Sequence, residues 1–384
     1  MRPVYIKDWF INVQKRDGKM NDYSHEIEML IAAQSSQDPN RFVQAIMKWH
    51  FSEETGTDFW LAMRQELPFD PARDINTFND LRKFSDISER LRTVPVQQLL
   101  PRGLRNDHQV SVYESGGTTG APKYVVAYDE WIQTLVDWRM SSYKDRPGRP
   151  VGNTLAAIPS GPHIVGAINK VRAQKLGGFY FTIDIDPRWV KRSISEGDRA
   201  CVRRYSSHLA DQIENTLLNQ DIRFLVTTPP VLRELVKRTE LVAHMRRSLA
   251  HITLGGTEIN LDEVKFIANE ILPECEFSAS YGSTSALGVS RSLLIKADSV
   301  RVEYNSFTPF ITYDVVDRDT LKTVEYGQQG TIVVSHLSRY AFYPRVLERD
   351  TAIRLPGNGQ VGDRLADIAA EVTFDGRKVI EGVY

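Results

Sequence analysis

The stretch of the 384-residue chain whose residue types most directly suggest chemistry is Ser115-Gly116-Gly117-Thr118-Thr119-Gly120-Ala121-Pro122-Lys123. Glycines let backbone N–H groups approach an anion closely, the hydroxyls add donors, and Lys123 brings a point charge. That combination suits a polyphosphate. A Gly/Ser surface linker has a similar composition, but linkers seldom stand between a strand-like run such as Val110–Tyr113 and an apolar run such as Tyr124–Tyr128. A P-loop needs Gly directly before its Lys and Ser or Thr directly after it. Lys123 lies between Pro122 and Tyr124, so that pattern fails. No GxGxxG follows a strand with an acid downstream, which removes the dinucleotide fingerprint.

Strands and helices must hold such a loop in place. From Asn21 to Leu104, apolar residues recur at helical spacing: Ile27, Leu30 and Ile31, then Phe42, Ile46 and Trp49, then Phe59, Leu61 and Met63. Residues 1–110 therefore read as a helical N-terminal segment. Downstream, β-branched runs alternate with amphipathic stretches. Thr154–Ile158, Phe179–Ile183, Phe224–Thr228, His251–Leu254 and Glu276–Ser280 read as strands; Ile164–Leu176, Ser207–Gln220, Val231–Arg238 and Leu261–Ile271 read as helices. Pro229-Pro230 and Asn260 are helix-start signals. The alternation implies an α/β core over 111–308, with ligands at the carboxyl ends of parallel strands. Residues 309–363 read as a β-rich subdomain, with strands at Phe310–Val316 and Gly330–Leu337. A last strand pair is expected at Ala369–Phe374 and Lys378–Val383, around the Asp375-Gly376 turn.

Further motifs follow the loop in a fixed order, and together they resemble the adenylate-forming superfamily of acyl-CoA synthetases, nonribosomal-peptide adenylation domains and luciferases. The nearest likeness is to its phenylacetate-CoA ligase and LuxE-like branch. Ser115 to Lys123 resembles the family's phosphate loop. Gly255-Gly256-Thr257-Glu258 is similar to the segment whose backbone lies along the adenine. Tyr281-Gly282-Ser283-Thr284-Ser285 resembles Tyr-Gly-x-Thr-Glu, implying that Tyr281 packs on the adenine and Thr284 contacts the α-phosphate. Pro344-Arg345 followed by Asp350 is similar to Pro-Arg-x-x-x-Gly-Asp, with Arg349 at the glycine, and implies that Asp350 holds the ribose hydroxyls. Arg364-Leu365-Ala366-Asp367 looks like the hinge motif, which adds Arg364 to the nucleotide contacts. His163, in Pro159-Ser160-Gly161-Pro162-His163, falls where family members line the acyl pocket; a loop histidine with satisfied hydrogen bonds is the competing reading. The resemblance spans Ser115 to Asp367, roughly two thirds of the chain. It implies the α/β large N-terminal domain of the adenylate-forming fold, with helix-covered β-sheets, and ATP and Mg²⁺ as cofactors. Lys123, Thr284 and His163 would be the catalytic residues.

The pattern also departs from the family. Ser285 replaces the glutamate that helps hold Mg²⁺, and a neutral hydroxyl is a poor ligand for a hard cation, so no metal ligand is assigned. Glu258 could contribute a carboxylate. After the hinge-like motif only Ile368 to Tyr384 remain. Residues 364–384 are therefore expected to be a hinge remnant without the mobile C-terminal domain, which carries a catalytic lysine and the surface that guides pantetheine thiols. The expected activity is the first half-reaction alone. An acyl-AMP would be made and passed to a reductase or another acyl acceptor, as in the truncated adenylating protein of phenazine antibiotic biosynthesis, which implies an aromatic acid such as phenazine-1,6-dicarboxylate. Trp138, Phe179 and Tyr180 could line an aromatic pocket, although such residues are more often core. A LuxE-like acyl-protein synthetase would carry its acyl group on a cysteine near the C-terminus, and the last cysteine here is Cys275. A nucleotide-binding interaction protein without catalysis is a third reading.

Bulk composition excludes several other classes. With 48 Lys+Arg against 49 Asp+Glu, the net charge of -1 gives no overall pull toward nucleic acid or anionic membrane. Cys201 and Cys275 have neither disulfide-framework nor zinc-site spacing. Met1 to Val13 lacks a signal-peptide core, and no run approaches the roughly 18 apolar residues of a membrane span. A cytoplasmic protein, with a homodimer as a possible assembly, is the expectation.

Overall fold

The computed structural model describes residues 29, 30, 32, 33, 38–105, 109–115, 121–144, 148 and 150–371, with the backbone of 373, 374, 377 and 378. The N-terminal part is helical, in short pieces. Helices α1 (Pro39–Phe51), α2 (Asp58–Arg64) and α3 (Pro71–Asp74) precede a series of 3-10 turns between Phe78 and Leu104. Each of the three begins on a side-chain cap: Asp38 accepts from the Asn40 N–H, Thr57 from Trp60 and Asp70 from Ala72. Strands β1 (Val110–Glu114) and β2 (Tyr124–Tyr128) then form an antiparallel pair joined through the Ser115–Lys123 loop.

Helix α4 (Asp129–Lys144) leads into the alternating region. It comprises β3 (Asn153–Ala156), α5 (Ile164–Lys175), β4 (Tyr180–Thr182), α6 (Pro187–Ser195), α7 (Arg199–Asn219), β5 (Ile222–Thr227) and α8 (Pro229–Leu235). It continues through α9 (Thr239–Ser248), β6 (His251–Gly255), α10 (Leu261–Phe266) and β7 (Glu276–Ser283). Every strand and helix expected in this region from the pattern is present. Asn260 caps α10 by accepting from the Glu263 N–H, and prolines open α8 beside the Thr228 cap. Helices α4, α6 and α9 and the first part of α7 are additional. Their buried faces, such as Trp131, Ile132, Leu135, Val136 and Met140 of α4 and Leu241 and Met245 of α9, do repeat at helical spacing, a pattern not picked out from the sequence.

The chain ends in β8 (Gly288–Ile295), β9 (Glu303–Asn305), β10 (Ile311–Val316), β11 (Gln329–Leu337), β12 (Phe342–Leu355), β13 (Arg364–Ala370), β14 (Thr373–Phe374) and β15 (Arg377–Lys378). The strand expected at Ala369–Phe374 is divided between β13 and β14. Asp375, Gly376 and the rest of the expected Lys378–Val383 strand lie outside the described residues.

Eleven strands form one sheet in the order β10-β11-β12-β13-β9-β8-β7-β6-β5-β3-β4. From β4 to β7 the neighbours are parallel; from β7 to β10 they are antiparallel. The helix-covered parallel strands and the β-rich strands after Pro309 therefore share a single hydrogen-bonded sheet, with short β9 joining β8 to β13. Register shifts on both sides of β12, between Val334 and His336 and between Thr351 and Ile353, bend that long strand.

The helical segment docks on the β11–β12 turn through donors that would otherwise be buried unpaired. Trp49 Nε1 donates to Arg339 O (2.9 Å), Trp60 Nε1 to Phe342 O (2.7 Å) and His50 Nε2 to Ser338 O (2.7 Å). His336 donates from Nδ1 to Ala286 O and accepts at Nε2 from Ser338 Oγ, both at 2.7 Å. Burial holds both imidazoles neutral, His50 at about 4 and His336 at about 3. Among the described residues, no helix is long and apolar enough to cross a membrane. Cys201 and Cys275 are free thiols.

A pH dependence follows. Unfolding returns each histidine to an ordinary value near 6.5, so the unfolded chain binds more protons below that pH and stability falls as pH drops. Between pH 6.5 and 5, where most carboxylates remain ionised, the melting temperature should decline, and it should decline less steeply in His50→Gln. Equal slopes would show that His50 is not the group responsible.

Candidate active-site cleft

The carboxyl ends of β3, β5, β6 and β7 open on one cleft of about 240 Å³. It lies where the strand order reverses, because β4 is added outside β3 while β5 pairs on its other side. Ile158, Pro159 and His163 come from the turn between β3 and α5, and Thr228 from the end of β5. Gly255 to Glu258 follow β6, and Ser280 to Thr284 close β7. The turn after β6 needs its glycine: Gly256 has φ +82°, which an L side chain adopts only with strain. The opposite wall is Arg349 and Asp350 of β12 with Ile368 to Ala370 of β13, and α6 adds Pro187 and Lys191.

Two hydrogen bonds tie the walls together. The Tyr281 hydroxyl donates to Asp350 Oδ2 (3.0 Å), and Ser283 Oγ donates to Glu348 Oε1 (2.6 Å). Burial, followed by the charges of Asp350 and Glu348, raises the Tyr281 phenol well above its ordinary value, so it remains a donor.

A third junction forms at Glu114, the last residue before the loop. Its carbonyl accepts from Thr284 Oγ1 (3.5 Å) and from His163 Nδ1 (3.3 Å), which fixes the proton of a neutral imidazole on Nδ1. Its buried carboxylate pairs with the Arg188 guanidinium. The loop ends are pinned to each other: Ser115 N donates to Lys123 O (3.0 Å), and Lys123 N to Ser115 Oγ (2.9 Å). Gly116, Gly117, Thr118, Thr119 and Gly120 lie outside the described residues.

The sequence-derived candidates thus separate into two groups. His163, Gly255, Gly256, Thr257, Glu258, Tyr281, Gly282, Ser283, Thr284 and Asp350 share the cleft. Lys123 and Arg364 are not among the residues that line it. Lys123 Nζ donates to Ser88 Oγ (3.3 Å), and Ser88 in turn donates to Asp86, which accepts from the Leu347 N–H of β12. Arg364 pairs with Glu303 (2.6 Å) and donates to Pro356 O (2.9 Å). The aromatic candidates are elsewhere too. Trp138 stacks on Phe307, Phe179 is 77% exposed, and Tyr180 packs against the cluster of Ala156, Ile158 and Val226 without lining the cleft. Ser285 is buried at 3% exposure. Among the described residues there is no cluster of three metal-ligating side chains, and Glu258 and Asp350 are the carboxylates in the cleft wall.

Sequence reasoning missed Lys191, Arg349, Thr228 and Glu114. The Asp186-Pro187 start of α6 is a legible helix signal, yet it says nothing of where Lys191 lies in space. Burial and then the Lys191 charge lower the His163 imidazole, opposed by Asp186. The signs give an NMR prediction: the His163 midpoint lies below 6.5, moves up in Lys191→Gln and moves down in Asp186→Asn. A midpoint that ignores both changes would refute this arrangement.

Comparison with known proteins agrees with the geometry. Residues 193–340 match the sequence profile of the AMP-binding enzyme family, which takes in the β5, β6 and β7 walls of the cleft. No curated protein matches the chain by sequence. Among solved structures, the chain is similar to 2-hydroxyisobutyryl-CoA ligase in its postadenylation state with R3-HIB-AMP: TM-score 0.62, 14% identity, 90% of this chain and 70% of that one covered. It is also similar to the same ligase with 2-HIB-AMP and CoA in the thioesterification state (TM-score 0.58, 14% identity, 92% and 69% covered). An open conformation of that ligase gives a TM-score of 0.56 at 13% identity, with 88% and 78% covered. The chain therefore has the α/β fold of an adenylate-forming ligase, and residues 193–340, which supply the β5, β6 and β7 walls of its cleft, match the AMP-binding enzyme family.

Proposed function

We propose that this chain binds ATP in the cleft and adenylates a carboxylic acid. The observation that carries the reading is the convergence of Gly255–Glu258, Tyr281–Thr284, Asp350 and His163, from four separate segments, on one cavity at the ends of parallel strands. In this reading the adenine lies against Gly255–Glu258 and the Tyr281 ring, and Asp350 accepts from the ribose hydroxyls. The acid's carboxylate, already ionised at neutral pH, attacks the α-phosphorus in line. A new C–O–P linkage forms, the bond to the β-phosphate oxygen breaks, and pyrophosphate leaves with the electron pair. Thr284, on turning its hydroxyl from the Glu114 carbonyl, donates to the α-phosphate, and neutral His163, its Nδ1–H held by that same carbonyl, lines the path of the incoming carboxylate without adding charge. The protein's contribution is positioning and charge stabilisation.

The acid's body would lie along the apolar wall of Ile158, Ile164, Val165, Val226 and Val289, which suits an aromatic or other apolar acid; phenazine-1,6-dicarboxylate is the first aromatic candidate to test. Glu258 is the side chain that would hold Mg²⁺, an ion that neutralises phosphate charge when bound and that commonly takes few protein carboxylates beside the substrate phosphates. The acyl-AMP would pass to a reductase or another acceptor. Direct loading onto Cys275 is disfavoured, because burial and Glu276 push that thiol up to about 12.

Pyrophosphate exchange into labelled ATP across a panel of aryl and fatty acids tests this directly. Exchange should appear with one acid class; ATP binding without exchange for any acid would favour a non-catalytic nucleotide-binding protein. Asp350→Ala should weaken ATP binding by about 10- to 100-fold, the scale of lost charge-assisted hydrogen bonds, and leave pyrophosphate binding unchanged. Equal losses would remove Asp350 from the ribose.

A further inference from the structure

The cation expected in the site from the sequence, Lys123, is engaged by Ser88, while the cations in the cleft wall are Lys191 and Arg349. They come from elements distant in sequence, the middle of α6 and the middle of β12. Arg349 Nε lies 3.6 Å from Asp350 Oδ1, but its Nη1 is buried with no hydrogen-bond partner among the described residues. An N–H in that position is costly unless a ligand accepts from it. Two cations sharing a half-buried cavity also repel each other, and an oxyanion between them relieves both costs. Thr284, the hydroxyl read as the α-phosphate donor, opens on the same cavity.

We propose that Lys191 and Arg349 form an oxyanion subsite of the cleft, that it takes the α-phosphate of the bound nucleotide, and that Lys191 is a catalytic residue in contact with that phosphate. The assignment rests on the nucleotide reading above. It gives the adenylation reaction a cation from within this fold, at the phosphorus where negative charge builds up as the carboxylate attacks.

The electrostatics agree. Burial, then Arg349 and Arg188, push the Lys191 ammonium down to about 8. The groups around it are His163 from the turn before α5, Glu114 paired with Arg188, Asp186 at the start of α6, Glu258 after β6, and Arg349 with Asp350 from β12. His163 is lowered below its ordinary 6.5 and stays neutral above neutral pH, leaving Lys191 as the group that titrates near 8. Phosphate binding requires the protonated ammonium, so affinity should fall as pH rises through about 8.

Calorimetric titration of the full chain with AMP and with adenosine, at pH 7 and again above pH 9, tests the proposal. Wild-type protein should bind AMP more tightly than adenosine. Lys191→Gln should lose about tenfold or more in AMP affinity, the scale of one charge-assisted contact, while adenosine affinity holds. Lys191→Arg should recover most of the loss and should remove the decline at high pH. Arg349→Gln should weaken AMP in the same selective way. If Lys191→Gln binds AMP as wild type does, the subsite is overturned and the nucleotide reading survives. If the wild type binds neither AMP nor adenosine, both fall. Should Lys191→Gln fail to fold, a wild-type AMP affinity that does not change across pH 8 overturns the assignment of Lys191 by itself.

Discussion

The site depends on the sheet bending far enough for β12 to face β7, although β13, β9 and β8 stand between them in the hydrogen-bonded order. The Tyr281–Asp350 and Ser283–Glu348 hydrogen bonds close that fold. Without the bend, Asp350 would lie on a remote strand and the cleft would lose a wall. The irregularities along β12 allow it, since each register shift adds local twist and re-aims the side chains beyond it. Burial of Tyr281 and the charge of Asp350 keep the Tyr281 proton in place, so this bond serves architecture while Asp350 Oδ1 lies 3.6 Å from Arg349 Nε.

Glu114 links this wall to the loop. Its carbonyl collects Thr284 and His163, its carboxylate fixes Arg188 at the start of α6, and its position immediately before Ser115 sets where the loop begins. A single residue thereby coordinates the end of β7, the turn after β3 and the helix that carries Lys191. The cleft is asymmetric as a result. Apolar side chains from β3, α5, β5 and β8 cover one side, and the cations of α6 and β12 occupy the other, an arrangement suited to a ligand with an apolar body and an anionic centre.

Support for that sheet comes from outside it. Donors from α1 and α2 satisfy the carbonyls of Ser338, Arg339 and Phe342 around the β11–β12 turn, and burial keeps His50 and His336 neutral. The helical segment therefore stiffens the strand pair whose middle carries Arg349 and Asp350.

Much of this was legible along the chain. The strand and helix alternation, the helix starts at Pro229-Pro230 and Asn260, the glycine turn after β6 and the motif residues Tyr281, Thr284 and Asp350 are all local patterns, written in neighbouring residues by backbone sterics and hydrogen-bonding chemistry. Local pattern also identified Lys123 as a cation beside a glycine loop, but not its Ser88 partner on a distant 3-10 region. The joining of the β-rich strands to the α/β core in one sheet was likewise not a local matter, since it turns on three-residue β9, too short to carry a periodic signal. What the sequence by itself determined was the alternation of the central strands and helices and the chemical types that suit a nucleotide. Which cations line the cleft, and which wall faces which, was decided only by tertiary structure, because sheet curvature and long-range packing bring Lys191 and Arg349 together from positions that no spacing along the chain relates.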